Sequence, residues 1–79
     1  MQYTKPAFPS HVESRDFASV AEAKAHYYAD GFRTIDESER GEPHPWTIMR
    51  KTLDNGYMLE TLIRHRGLLM VDANVVRLA

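Results

Sequence analysis

Apolar residues recur with a helical period in one segment of the chain, residues 20–30. Val20, Ala23 and Tyr27 follow one another at spacings of three and four residues, as on a helix with one face turned to a core. The segment is rich in alanine and contains neither Gly nor Pro, which also favours a helix. The pattern predicts one α-helix over residues 20–30.

Both ends of this helix carry recognisable signals. Ser19 and Glu22 have the spacing of a capping box, in which the serine hydroxyl accepts a hydrogen bond from the backbone N–H three residues later. Gly31 suits the left-handed conformation that commonly ends a helix, and Phe32 can then pack back on the helix.

The remaining pattern consists of short apolar segments separated by turn residues, which is typical of antiparallel strands. We expect an α+β fold in which one α-helix packs on a three- to four-stranded antiparallel β-meander. The strands are predicted at residues 32–36, 46–53, 57–65 and 68–72, with 12–17 as an optional edge strand.

The dipeptide Asn55-Gly56 predicts a hairpin between the second and third of these strands. A two-residue type I′ turn would place Lys51 opposite Glu60. A type I turn followed by a bulge at Gly56 would place Arg50 opposite Glu60 instead. Both registers bring opposite charges together, so the sequence leaves both open.

The C-terminal part of the chain is ambiguous. Residues 68–71 are apolar on both sides, which indicates a central strand or one buried at an interface. Residues 73–79 fit either a short helix capped by Asp72 or a final strand.

The length of 79 residues is enough for one domain and too short for two. Pro6 and Pro9 predict an extended N-terminal arm over residues 1–11, followed by a globular body over 12–79. A hydrophobic core of this size contributes only about 3–5 kcal/mol of stability, and association with another chain is a common supplement.

The composition excludes several classes of site. The chain has no cysteine, so disulfides, thiolate zinc sites and cysteine nucleophiles are excluded, and a reducing, cytoplasmic location is expected. The net charge of −1 does not drive binding to nucleic acids or anionic membranes. The sequence contains no apolar run long enough for a transmembrane helix, and the N-terminus lacks the features of a signal peptide.

Trp, Tyr and Arg supply most of the binding energy at protein interfaces, and this chain has several that the expected fold would expose. We therefore expect a non-enzymatic protein-binding module (an adaptor, inhibitor or small subunit) that uses a sheet face or an edge strand. The same surface could pair two copies into a homodimer. The candidate partner-binding residues are Trp46, Arg50, Tyr57, Arg64, Arg66, Leu69 and Tyr28.

Two alternatives remain. The basic and aromatic residues of the hairpin 46–66 would also suit single-stranded nucleic acid. A metal-dependent hydrolase using His44 and His65 is the other alternative, although no two histidines have the spacing of a zinc motif. The chain has no nucleophile elbow and no glycine-rich phosphate loop, and we expect no catalytic residue, no cofactor and no bound metal.

The small size and the helix-then-meander layout resemble those of small phage-encoded proteins that inhibit host machinery, including anti-CRISPR proteins. The resemblance covers the layout and no specific motif. It implies a protein target and no catalysis.

Overall fold

A computed structural model describes residues 10–67 and 69–78 of the chain. The order of elements is β1 (Ser10–Phe17), α1 (Val20–Ala29), β2 (Arg33–Glu37), β3 (Trp46–Thr52), β4 (Met58–His65) and β5 (Val71–Leu78). The described strands form one antiparallel sheet in the order β1-β5-β4-β3-β2. The α+β prediction is therefore confirmed, but the sheet has five strands and not three to four.

The ends of α1 follow the predicted signals. The Ser19 hydroxyl accepts a hydrogen bond from the Glu22 backbone N–H at 3.1 Å. Gly31 has a φ of 99°, in the left-handed region where a side chain would be strained. The Phe32 N–H then donates to the Tyr27 carbonyl at 2.9 Å, so the chain reverses directly from α1 into β2.

The core lies between α1 and one face of the sheet. Ala23 and Tyr27 are buried on the helix, and the Tyr27 ring meets the rings of Phe17 and Phe32 edge-on at 5.8 and 5.2 Å. Alternate residues of the central strands complete this core because side chains of a strand point to opposite faces in turn. These strand residues are Thr47, Met49, Thr61, Ile63, Val71, Ala73 and Val75.

The hairpin between β3 and β4 has the second of the two predicted registers. Gly56 has a φ of 85°, and its N–H donates to the Leu53 carbonyl at 3.2 Å. Arg50 therefore lies opposite Glu60, and Arg50 Nε donates to a Glu60 carboxylate oxygen at 2.7 Å.

The strand predicted at residues 68–72 is confirmed only at Val71 and Asp72, the first two residues of β5. Leu69 and Met70 are exposed in the connection between β4 and β5, and the strand begins at Val71. The strand β5 continues to Leu78, so residues 73–78 form a strand and not a short helix. The predicted positions of Leu68 and Ala79 lie outside the described residues.

The optional edge strand at 12–17 is present and begins earlier, at Ser10. It pairs with β5, so the chain's first and last described strands are neighbours. The rest of the predicted arm, residues 1–9, lies outside the described residues. No helix within residues 10–67 and 69–78 is long and apolar enough to cross a membrane.

Candidate functional site

The face of the sheet turned away from α1, called here the open face, is not covered by any described element. The strand register places there the residues that alternate with the buried core positions. Six apolar side chains on this face are only half-buried: Trp46, Ile48, Met58, Leu62, Val76 and Leu78. An apolar sheet face without a covering layer is typical of an interaction surface.

One end of the open face contains a groove of about 840 Å³, called here the Trp46 groove. Apolar surface comes from Trp46, Leu62 and the two prolines Pro43 and Pro45, and an arginine, Arg64, stands beside it. The lining also includes His44, His65, Arg66, Gly67 and Asp72. This volume is within the range of pockets that hold small ligands or a few residues of a peptide.

Trp46 is held in place by the base of the loop that precedes it. The Trp46 backbone N–H donates to the Ser38 hydroxyl at 2.9 Å, and the Ser38 N–H donates to the Trp46 carbonyl at 2.9 Å. This reciprocal pair closes the loop 38–45 at the end of β2 and β3. The two prolines restrict the backbone of the loop just before Trp46.

The charges along the groove compensate one another. Across four neighbouring strands, Trp46 lies opposite Arg64, Arg64 opposite Asp72, and Asp72 opposite Asp16. Arg64 Nε lies 3.5 Å from Asp72 Oδ1, and Arg66 Nη2 lies 2.9 Å from Asp16 Oδ2. Each arginine of the groove therefore has a carboxylate partner from within the chain.

The Asp72 carboxylate is the most buried charge of the groove, with its side chain 18% exposed. Within the described residues its Oδ1 atom has no hydrogen-bond partner, although the Arg64 guanidinium is close. A contact of 3.5 Å compensates the charge without making a well-formed hydrogen bond. Arg64 has 57% of its side chain exposed, so its guanidinium is accessible to a bound partner.

Most cationic side chains elsewhere in the described residues are also engaged. The structure has six ion pairs in these residues: Arg15–Glu13, Lys24–Glu37, Arg50–Glu60, Lys51–Asp30, Arg64–Asp72 and Arg66–Asp16. Two further guanidinium groups stack on tyrosine rings, Arg33 on Tyr28 at 4.1 Å and Arg77 on Tyr57 at 5.1 Å. The basic residues of the described chain thus do not merge into a patch of uncompensated positive charge.

The structure brings together some of the predicted partner-binding residues. Trp46, Arg64 and Arg66 line the same groove. Leu69 is 87% exposed in the loop that continues from Gly67 of the groove lining.

The other predicted residues lie elsewhere. Arg50 is on the open face, but it lies two positions past Ile48 along β3 and is paired with Glu60. Tyr57 is at the β3–β4 turn, at the opposite end of the sheet from the groove. Tyr28 is on α1, on the other side of the sheet, and is 59% exposed.

Sequence reasoning did not identify three residues of this region as part of a site: Leu62, Asp72 and Asp16. Once the bulge at Gly56 sets the register of the hairpin, the pairs Ile48–Leu62 and Trp46–Arg64 follow. These pairs place Leu62 beside Trp46 on one face of the sheet. No sequence signal indicates the contact between Asp16 and Arg66, which are fifty residues apart.

Two groups of side chains on this side of the sheet contain residue types that catalysis uses. His44 and His65 both line the Trp46 groove, but no three potential metal ligands gather among the described residues. On the open face, His11 Nε2 lies 2.9 Å from the Ser14 hydroxyl, as in a nucleophile–base pair. The Ser14 hydroxyl also donates to Asn74 Oδ1 at 2.7 Å, so its single proton is already engaged and the contact with His11 does not indicate an activated nucleophile.

Among the residues that the structure describes, two groups have perturbed pKa values, and both lie outside the groove. Burial raises the pKa of Tyr27, with a contribution from the negative charge of Glu13, while the Thr61 hydroxyl opposes the shift. The hydrogen bond from Lys24, together with its charge, lowers the pKa of Glu37. Both shifts arise from packing and ion pairing between α1 and the sheet, which does not indicate acid–base chemistry.

Comparisons with protein-family models, with curated proteins and with solved structures found no match. The geometry of the chain itself is therefore what supports a functional proposal.

Proposed function

We propose that this protein is a non-enzymatic protein-binding module that holds a segment of a partner protein in the Trp46 groove. The observation that carries the proposal is the combination of an apolar groove around a single tryptophan with arginines that are already charge-compensated. Aromatic and arginine side chains at the centre of an interface supply most of its binding energy.

The charge arrangement favours a protein partner over a nucleic acid. Binding to single strands depends on free cations that neutralise phosphates, in addition to stacking aromatics. Arg64 and Arg66, which line the groove with Trp46, each face an aspartate. A partner peptide can instead use its own polar groups to share these ion pairs while its apolar residues cover Trp46 and Leu62.

The roles of adaptor, inhibitor and small subunit all use such a surface. An inhibitor of the phage-encoded kind would place the groove against a functional surface of its target. A cytoplasmic setting suits all three roles, since the chain has no cysteine to stabilise it outside a reducing compartment.

The test begins with a displayed library of random twelve-residue peptides, selected on the immobilised protein. A selected peptide is labelled with fluorescein and titrated against the wild type, Trp46→Ala and Tyr28→Ala. Tyr28→Ala is the matched control, because it removes an exposed aromatic ring on the far side of the sheet. Far-UV circular dichroism of each variant establishes that it is folded.

We expect Trp46→Ala to weaken peptide binding by roughly thirtyfold or more, the effect of losing a hot spot worth about 2 kcal/mol. Tyr28→Ala should bind like the wild type. Leu62→Asp, which changes the groove floor and leaves Trp46 intact, should also abolish binding. Peptides that bind Trp46→Ala and Leu62→Asp as well as the wild type would overturn the proposal.

A fluorescein-labelled oligothymidine at low salt is the second arm of the test. We expect no binding of this probe. Salt-sensitive binding that Arg64→Ala weakens would refute the protein-binding proposal in favour of single-stranded nucleic acid.

A further inference from the structure

One edge of the sheet is formed by β1. This strand has eight residues; its register with β5 shifts between His11 and Glu13, and residues 13–17 pair regularly. No other described strand pairs with its outer edge. Edge strands in monomeric proteins are usually short or interrupted, because their free N–H and C=O groups recruit other strands.

The hydrogen-bonding pattern of the sheet shows which residues of β1 face outward. The Arg66 N–H donates to the Met70 carbonyl, and in antiparallel sheets the backbone direction alternates from one residue to the next. Ala73 therefore points toward β1, and its partner Arg15 points back toward β5. The next residue, Ser14, must direct its N–H and C=O away from the sheet.

We infer that β1 pairs antiparallel with β1 of a second copy of this chain, around a two-fold axis at Ser14. In this arrangement Ser14 lies opposite its own copy, and the outward backbone groups of both strands meet as hydrogen-bonded pairs. The inference is independent of what occupies the Trp46 groove, because Ser14 is two strands away from Leu62.

Charge complementarity selects this register over its neighbours. Glu13 and Arg15 point to the same face of β1 and lie 3.1 Å apart within one chain. The two-fold axis at Ser14 places Glu13 of each copy opposite Arg15 of the other, so four alternating charges form a ring. An axis at Glu13 would oppose two glutamates, and an axis at Arg15 would oppose two arginines, both of which destabilise the pairing.

The consequence is a larger binding surface. A two-fold axis perpendicular to the sheet joins the two five-stranded sheets into one and keeps both helices on the same side. The two open faces become one continuous surface with a Trp46 groove toward each end. Such a dimer would engage a repeated or two-fold symmetric partner with the benefit of two linked contacts.

The first experiment uses the absence of cysteine in the chain. At a hydrogen-bonded pair on the axis, the two Cα atoms of Ser14 would be about 5.5 Å apart, within the range of about 4.4–6.8 Å that a disulfide spans. Ser14→Cys should therefore form a covalent dimer under mild oxidation. Ser10→Cys is the matched control, since its two copies would lie about 27 Å apart in this register.

The second experiment exchanges the charges. The wild type should sediment as a dimer, and Arg15→Glu or Glu13→Arg alone should shift it to a monomer by placing like charges opposite each other. An equimolar mixture of the two single variants should restore a dimer, because the two glutamates of one chain then face the two arginines of the other. Loss of the Glu13–Arg15 contact within each chain would not produce that outcome, since the contact stays broken in both variants.

Three outcomes would overturn the inference. The first is a wild-type monomer at the highest soluble concentration. The second is equal cross-linking of Ser14→Cys and Ser10→Cys. The third is a dimer that neither charge reversal weakens, which would assign the contact to another surface.

Discussion

Neighbouring residues of β4 provide a direct comparison of the two faces of the sheet. Ile63 points toward α1 and is fully buried, whereas Leu62 points to the open face and is half-buried. Both are aliphatic side chains of the same size in the same central strand. The loss of stability on truncating each residue to alanine can therefore be compared directly, and the difference reports how well each side chain is covered.

The expected costs differ severalfold. Ile63→Ala removes a fully buried side chain and leaves a cavity under the helix, which costs about 2–5 kcal/mol of unfolding free energy. Leu62→Ala removes contacts that are only partly shielded from water, and about 1 kcal/mol is expected from the transfer term without a closed cavity. Because the whole domain has only about 3–5 kcal/mol, Ile63→Ala should be largely unfolded.

Urea titrations followed by far-UV circular dichroism measure both variants against the wild type. Ile63→Val, expected to cost about 0.5–1.5 kcal/mol, gives a measurable value if Ile63→Ala does not fold. If Leu62→Ala were as destabilising as Ile63→Ala, the open face would be packed as tightly as the core. The reasoning that makes it a binding surface would then be wrong.

Further predictions concern α1 and the hairpin. Ser19→Ala should cost about 1 kcal/mol in a urea titration by removing the N-cap, while Ser19→Asp should retain most of the stability. Because burial raises the pKa of Tyr27 in the folded state, its contribution to stability is present below its unfolded pKa and is lost as the pH rises through the folded value. Tyr27→Phe should therefore unfold less steeply than the wild type in an alkaline titration, and an unchanged slope would contradict this linkage. A double-mutant cycle of Arg50→Ala and Glu60→Ala should give a coupling of about 0.2–1 kcal/mol that declines with added salt, whereas zero coupling at low salt would show that the pair adds no stability.

Local chemistry made α1 and the β3–β4 hairpin predictable. The Ser19 cap and Gly31 mark the ends of the helix by backbone requirements that few other residues meet. Asn55-Gly56 located the turn but not its register, because Glu60 finds an opposite charge in both alternatives. Which of the two registers forms depends on the backbone conformation at Gly56, and the amino-acid types in the turn do not specify that conformation.

The C-terminal strand begins three residues later than the continuous apolar run at residues 68–71 predicts. Leu69 and Met70 are apolar but lie in an exposed loop. The following residues alternate strictly, with Val71 and Ala73 buried and Asp72 between them on the open face. That period of two was the better strand signal, and it would have placed Asp72 near Arg64.

The groove itself was only partly predictable. Trp46 was marked by the prolines before it, and Arg64 by its position in the hairpin. The carboxylates that compensate the arginines come from β1 and β5, at opposite ends of the sequence. Their contribution depends on β1 pairing with β5, a long-range contact for which the local pattern gives no signal.

The central claim, that a partner segment binds in the Trp46 groove, is tested most directly by two-dimensional ¹⁵N–¹H spectra recorded while a selected peptide is added. We predict that the largest shift changes fall on Trp46, Leu62 and Arg64, with α1 unaffected. Changes concentrated on α1 around Tyr28, with the groove residues unmoved, would contradict it.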